Sequence, residues 1–171
     1  MFEQLTGYRP PALEERAHGL MLDLLATSAD PLSRDQFDPG HFTVGAFVVA
    51  ESHILLIHHR RLDMWIEPGG HIDPEDRTLE AAAIRELVEE TGVNAHLTDR
   101  GIFDIDVHAI PAAKGEPAHT HFNVGFLFTA EMVEPVAAPE VRAARWLSLD
   151  AATDRGPDPA IHRAVAKMKA L

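Results

Sequence analysis

Apolar residues follow two different periods along this chain, and each change of period marks an expected element. Across residues 12–27, Leu13, Ala17, Leu20 and Leu24 recur at helical spacing, with Glu14, Glu15 and Asp23 elsewhere, so the stretch reads as an amphipathic helix. Pro10-Pro11 closes a short irregular lead before it, and residues 28–40, with two Asp-Pro steps, read as loop or broken helix. Residues 41–50 and 53–60 are apolar, β-branched runs on either side of Glu51-Ser52, a hairpin signal. Residues 93–110 read as one or two strands broken near Asp99-Arg100-Gly101. Ile102, Asp104 and Asp106 alternate there with Phe103, Ile105 and Val107, as in a half-buried strand. After a loop at 111–117, residues 119–130 form a clear strand: Phe122, Val124, Phe126 and Phe128 point one way, His119, His121 and Asn123 the other. Residues 131–139 are loop, 141–149 the last strand, and 158–171 a closing helix through Ile161, Val165 and Met168.

The helical period is clearest in residues 69–93, GGHIDPEDRTLEAAAIRELVEETGV. Leu79, Ala83 and Leu87 recur every four residues, Ile84 and Val88 widen the stripe, Asp76 or Thr78 can cap the start, and Gly92 suits a left-handed stop. On one flank Glu86, Glu89 and Glu90 stand three and four residues apart, a spacing at which like charges cost about 0.2–0.5 kcal/mol per pair. Arg85 offsets only part of that repulsion. A carboxylate cluster of this kind suits a hard divalent cation with oxygen ligands, and glycines just before the helix let backbone and carbonyls approach one closely. The alternative is a solvated acidic helix end.

This stretch resembles the Nudix box, the signature of hydrolases that cleave a nucleoside diphosphate linked to another moiety. The matching residues are Gly70, Arg85, Glu86, Leu87, Glu89, Glu90, Gly92 and Val93. One departure stands out: the family carries a Glu eight residues before the Arg, where this chain has Arg77, with Glu75 and Asp76 as the nearest acids. A one-residue insertion in the loop accounts for it. The resemblance implies an α+β fold, a Nudix-type α/β/α sandwich around a mixed sheet. Residues 41–171 would be the hydrolase domain and residues 1–40 an N-terminal helical extension, serving as packing arm, homodimer contact or lid.

Composition narrows the chemistry. Net charge is −12 with only 15 Lys plus Arg and no basic run, which argues against a nucleic-acid binder. A polyphosphate would be repelled by this surface unless cations reversed the local field. The absence of cysteine excludes disulfides, thiolate zinc sites and cysteine nucleophiles, and weighs against the isopentenyl diphosphate isomerases, which resemble Nudix proteins but rely on a cysteine. Glu3, Arg9, Glu14 and Glu15 interrupt any signal-peptide core, and no stretch is long enough to span a bilayer, so no membrane partner and a cytoplasmic location are expected.

The resemblance implies a pyrophosphohydrolase: metal-assisted attack of water on a diphosphate, with Gly70, Glu86, Glu89 and Glu90 holding one to three Mg²⁺ or Mn²⁺ ions. Glu89 or Glu140 would take the water's proton. Glu140 is singled out because mutator-type members of the family place a catalytic or metal-binding Glu at about this distance from a strand Trp, here Trp146, with Glu131 and Glu134 as the alternatives. Arg85 would orient a ligating Glu. Arg60 and Arg61, in a small cationic island with His58 and His59, and the strand pair His119 and His121 are the candidate contacts to a small-molecule nucleoside diphosphate derivative. His119-x-His121 also has the form of a transition-metal pair, with no third ligand identifiable from the sequence. The rival from another class is a non-catalytic sensor that binds a nucleotide or sugar nucleotide without cleaving it.

Overall fold

The computed structural model describes residues 2–113, 115–139, 141–155 and 158–171. Its elements run α1 (Glu3–Gly7), α2 (Glu15–Thr27), β1 (Gly40–Ala50), β2 (His53–His59), β3 (Met64–Ile66), β4 (Gly69–His71), α3 (Leu79–Thr91), β5 (His96–Ile110), β6 (His119–Thr129), β7 (Val141–Ser148), α4 (Leu149–Arg155) and α5 (Pro159–Lys169). The strands form one mixed sheet in the order β3-β2-β1-β6-β5, with β4 also pairing β1 and β7 pairing β2. The contact between β1 and β6 is parallel, and the other pairings are antiparallel.

Alternation sorts the strand residues onto two apolar faces. Phe42, Val44, Ala46 and Val48 of β1 and Phe122, Val124, Phe126 and Phe128 of β6 join one core with Leu5, Met21 and Leu24 of α1 and α2, and with Leu79, Ala82, Ala83 and Leu87 of α3. Phe47, Ile54, Leu56 and Leu127 face the other way, onto Ala152 of α4 and Ile161, Ala164, Val165 and Met168 of α5. Helices therefore cover both faces of the sheet, the α/β/α sandwich expected of the sequence. None of the described helices is long and apolar enough to cross a membrane.

The hairpin of β1 and β2 turns at Glu51, whose φ of 52° lies in the left-handed region. Four expectations are corrected. The lead before Pro10 contains α1, whose Leu5 is fully buried. The next helix begins at Glu15 rather than Ala12, so Leu13 lies outside it and is 82% exposed, and the buried face passes through Met21 and Leu24 rather than Leu20. Strand β5 is not half-buried in its middle: Ile102, Phe103, Asp104 and Ile105 are all buried, because register shifts on either side of Ile102 break the alternation and helices cover both faces. The last strand stops at Ser148, and Leu149 opens helix α4, for which the apolar pattern gives no separate signal.

Buried charge ties the N-terminal helices to the C-terminal one. Glu14 is fully buried, accepting a hydrogen bond from the Tyr8 hydroxyl at 2.6 Å and ion-paired with Lys167, which also reaches Asp104 at 2.8 Å. Arg163 completes the group with two contacts to Asp104.

Candidate active site

The site is built where β4 meets the C-terminal half of α3, beside the first halves of β1 and β6. Helix α3 starts at Thr78, whose hydroxyl accepts the Ala81 N–H at 3.1 Å, and stops at Gly92 with φ 67°. Of the two capping candidates Thr78 takes the role, and Asp76 is used elsewhere. Along the helix Leu79, Ala83 and Leu87 are buried as the spacing requires, whereas Val88 is 39% exposed.

Two of the helix carboxylates turn back onto the glycine turn. Glu90, only 6% exposed, accepts the Gly69 N–H at 2.9 Å. Glu86 stands directly over Gly70, where a β-carbon would lie 2.6 Å from its carboxyl carbon. Glu89 projects outward, its side chain 55% exposed. The glycines are thus required by close approach. Gly69 has backbone on its other side, since a β-carbon there would sit 2.2 Å from the Val44 carbonyl oxygen.

Arg85 knits these groups together more fully than its orientation on the helix suggests. Its Nη1 donates to Glu86 at 2.9 Å and to Glu89 at 3.2 Å, and its Nη2 donates to the His71 carbonyl at 2.9 Å and to Asp76 at 2.8 Å. The carboxylates therefore do have a matching cation. Arg85 holds the Asp76 carboxyl below its ordinary range, while burial pushes the Glu86 carboxyl up despite Arg85 beside it. Asp76 also accepts the Asp73 N–H at 2.9 Å, so the acid next to Arg77 closes the loop and anchors Arg85 at once.

A cavity of about 1060 Å³ opens beside Gly70 and Glu86. Arg34 and Phe37 from the segment after α2, Arg60 and Arg61 after β2, and His71, His119 and His121 line it. The candidate contacts Arg60, Arg61, His119 and His121 are therefore brought to one cavity with Gly70 and Glu86. Arg61 is shared with Glu116 at 3.3 Å, and Arg60 donates to the Val141 carbonyl at 3.4 Å. Trp65 packs against the core under α4 and α5 and meets His58 at 5.1 Å between ring centres.

Glu140 lies outside the described residues. Its loop runs along the end of α3: the Val136 N–H donates to the Thr91 carbonyl at 2.8 Å and the Ala138 N–H to the Glu90 carbonyl at 3.0 Å.

Sequence reasoning missed three features in and beside this cavity. Glu67, immediately before Pro68-Gly69-Gly70, is 8% exposed and accepts a hydrogen bond from Asn123 at 3.0 Å, while Asn123 in turn accepts from the Thr43 hydroxyl at 3.1 Å. Burial, reinforced by Asp158, pushes the Glu67 carboxyl up to about 7. Asp158 caps α5 and lines the cavity. Finally, His41 and His71 join His119 and His121 in a cluster with ring centres 4.9 to 5.5 Å apart. Burial and the neighbouring imidazoles push His71 down to about 4 and His121 to about 2. Alternation placed His119 and His121 on this face, but only strand pairing, His41 with His121 and Thr43 with His71, brings in the others.

A protein-family model described as the NUDIX domain matches residues 39–168, more than half of the chain. A Bacillus subtilis (strain 168) protein provisionally named an 8-oxo-dGTP diphosphatase is 43% identical over 60 residues, 33% of this chain and 40% of that protein. Phosphatase NudJ of Escherichia coli (strain K12) is 40% identical over 57 residues, 32% of this chain and 37% of NudJ. The chain thus spans about two fifths of the length of the curated relatives it matches. Among solved structures, a Caenorhabditis elegans Ap4A hydrolase binary complex superposes with a TM-score of 0.60 at 20% identity, over 75% of this chain and 95% of that one. That likeness is one of fold.

Proposed function

The chain belongs to the Nudix family, and from that premise we propose that it is a pyrophosphohydrolase that splits the diphosphate linkage of a nucleoside diphosphate derivative with the help of Mg²⁺ or Mn²⁺. The observation that carries this reading is the fit of two helix carboxylates onto a glycine turn: Glu86 over Gly70, and Glu90 on the Gly69 N–H, beside a large cavity with arginines in its wall. A −12 chain that gathers Arg34, Arg60 and Arg61 at one cavity favours a phosphate-bearing ligand there.

The donor set suits a hard cation, being all oxygen and offered at a turn with no side chain in the way. Glu86, Glu89, Glu90 and the Gly70 carbonyl would hold it. When bound, the ion supplies Lewis acidity to a phosphate oxygen and acidifies a bound water. Arg85 fixes Glu86 and Glu89 relative to each other and to the His71 carbonyl. Arg60 and Arg61 orient the phosphates, and an exposed Glu89 oxygen or Glu140 takes the water's proton. Residues 41–171 form the hydrolase domain in this reading. Residues 1–40 serve as a helical extension that completes the cavity wall through Arg34 and Phe37.

The test is hydrolysis of a panel of nucleoside diphosphate derivatives by the wild-type chain and Glu90→Gln, with and without chelator. The reading expects turnover that disappears with either change, in a variant that is still folded.

A further inference from the structure

Three of the clustered histidines can offer a metal ion what the box carboxylates cannot, which is imidazole nitrogen. One ligating nitrogen from each of His41, His119 and His121 lies within 4.8 Å of the others. Two of these rings are already oriented. The Gln36 carbonyl lies 3.0 Å from His41 Nδ1 and the Pro117 carbonyl 2.9 Å from His119 Nδ1. A carbonyl only accepts, so both Nδ1 atoms carry a hydrogen, which in the neutral imidazole leaves the lone pair on Nε2. A backbone carbonyl on the distal nitrogen is also the usual support of a metal-bound histidine. His41 is fully buried, and its Nε2 has no hydrogen-bond partner among the described residues, so its lone pair is shielded from water without compensation. His119 Nε2 and His121 Nε2 stand 3.2 Å apart. Two ligands at 2.0–2.1 Å from a tetrahedral ion are roughly 3.3 Å apart, so this edge of the tetrahedron is already formed.

We infer that His41, His119 and His121 bind one zinc-class transition-metal ion through their Nε2 atoms, at a site separate from the carboxylates of α3. One ligating nitrogen from each ring lies at most 4.8 Å from the others, so the tetrahedral edges close by shifts of up to about 1.5 Å. His119 and His121 line the cavity, so an ion held by them would sit at its wall. Besides these shifts, ion binding requires that the hydrogen of His121 Nε2 move to its Nδ1. Imidazole donors select zinc, cobalt, nickel or copper over magnesium, so the two sites discriminate by ligand chemistry.

The experiment titrates Co²⁺ into the metal-free 171-residue chain in the presence of excess Mg²⁺, which occupies oxygen sites. One equivalent should produce the strong visible absorption of low-coordinate Co²⁺, and one equivalent of Zn²⁺ should abolish it. The band should persist in the Glu86→Gln, Glu90→Gln double variant. His119→Ala and His121→Ala, each on the cavity wall, should bind Co²⁺ at least tenfold more weakly. Only weak octahedral-type absorption in the wild-type chain would overturn the inference without recourse to any variant. So would a band lost with the glutamates and kept without the histidines.

Discussion

The carboxyl carbon of Glu86 lies where a side chain on Gly70 would have to go, 2.6 Å from the position of the missing β-carbon. Gly69, one residue earlier, is hemmed in by the Val44 carbonyl instead. The difference separates function from stability. In Gly70→Ala the atoms displaced are the end of a rotatable side chain, so stability should change by less than ~1 kcal/mol while turnover falls by at least ~100-fold through misplacement of Glu86. In Gly69→Ala the clash is with backbone, and the loss should exceed ~2 kcal/mol. Denaturant melts and turnover measured on the two variants check both arms.

Asp76 should act on the chemistry only through Arg85, whose Nε and Nη2 it holds. Asp76→Ala leaves Arg85 on the His71 carbonyl but frees its outer edge, and kcat should fall about tenfold with KM nearly unchanged. Arg85→Ala removes the clamp on both glutamates and should cost about 100-fold. Equal losses of kcat and gains of KM in Asp76→Ala would place that acid on the substrate instead.

Glu67 predicts a pH effect of defined sign. Its carboxyl titrates at about 7 in the fold against 4.5 for the free group. Below 4.5 both states are protonated and nothing is lost. Between 4.5 and 7 the folded chain holds a proton that the unfolded chain has released, so stability falls as pH rises, to a full loss of roughly 3 kcal/mol above 7. Glu67→Gln keeps an acceptor for Asn123 without the charge. It should raise the melting temperature at pH 8 and leave it nearly unchanged at pH 4, and a pH series of melts on the two proteins tests this.

Lys167 neutralises two acids that have little access to water, Glu14 and Asp104. Lys167→Met leaves Glu14, among the described residues, with the Tyr8 hydroxyl alone and should destabilise the fold by about 3–5 kcal/mol. The double variant with Glu14→Gln should recover part of that, since the uncompensated charge is gone. Urea unfolding of the parent, the two single variants and the double variant measures the coupling.

What could be read in advance follows from range along the chain. Residues whose neighbours lie within one helix turn or one strand were legible: Leu79, Ala83, Leu87 and Gly92 in α3, and the alternating phenylalanines of β6. The grouping of Glu86 and Glu90 with the glycine turn was legible too, because motif and spacing coincide there. Features set by partners far along the chain were not. The buried face of α2 is fixed by Met21 and Leu24 against the sheet and by Glu14 meeting Lys167, 153 residues away. His41 pairs with His121 across a parallel strand contact, so a third imidazole beside His119 and His121 has no local signal. The same holds for Glu67, which reads as an ordinary loop acid until Asn123 closes over it.

The central claim is that the carboxylates gathered on Gly69 and Gly70 perform diphosphate hydrolysis. Release of phosphate and pyrophosphate from nucleoside triphosphates, sugar nucleotides and dinucleoside polyphosphates, with Mg²⁺ or Mn²⁺, tests it beside Glu90→Gln. The amide in Glu90→Gln keeps an oxygen for the Gly69 N–H, so this variant should stay within ~1 kcal/mol of the parent in stability. The expected result is cleavage of at least one compound class, lost with chelator and lost in the variant. Wild-type-like turnover in Glu90→Gln would contradict the assignment, and silence across the panel with tight binding of one compound would make the chain a sensor rather than a hydrolase.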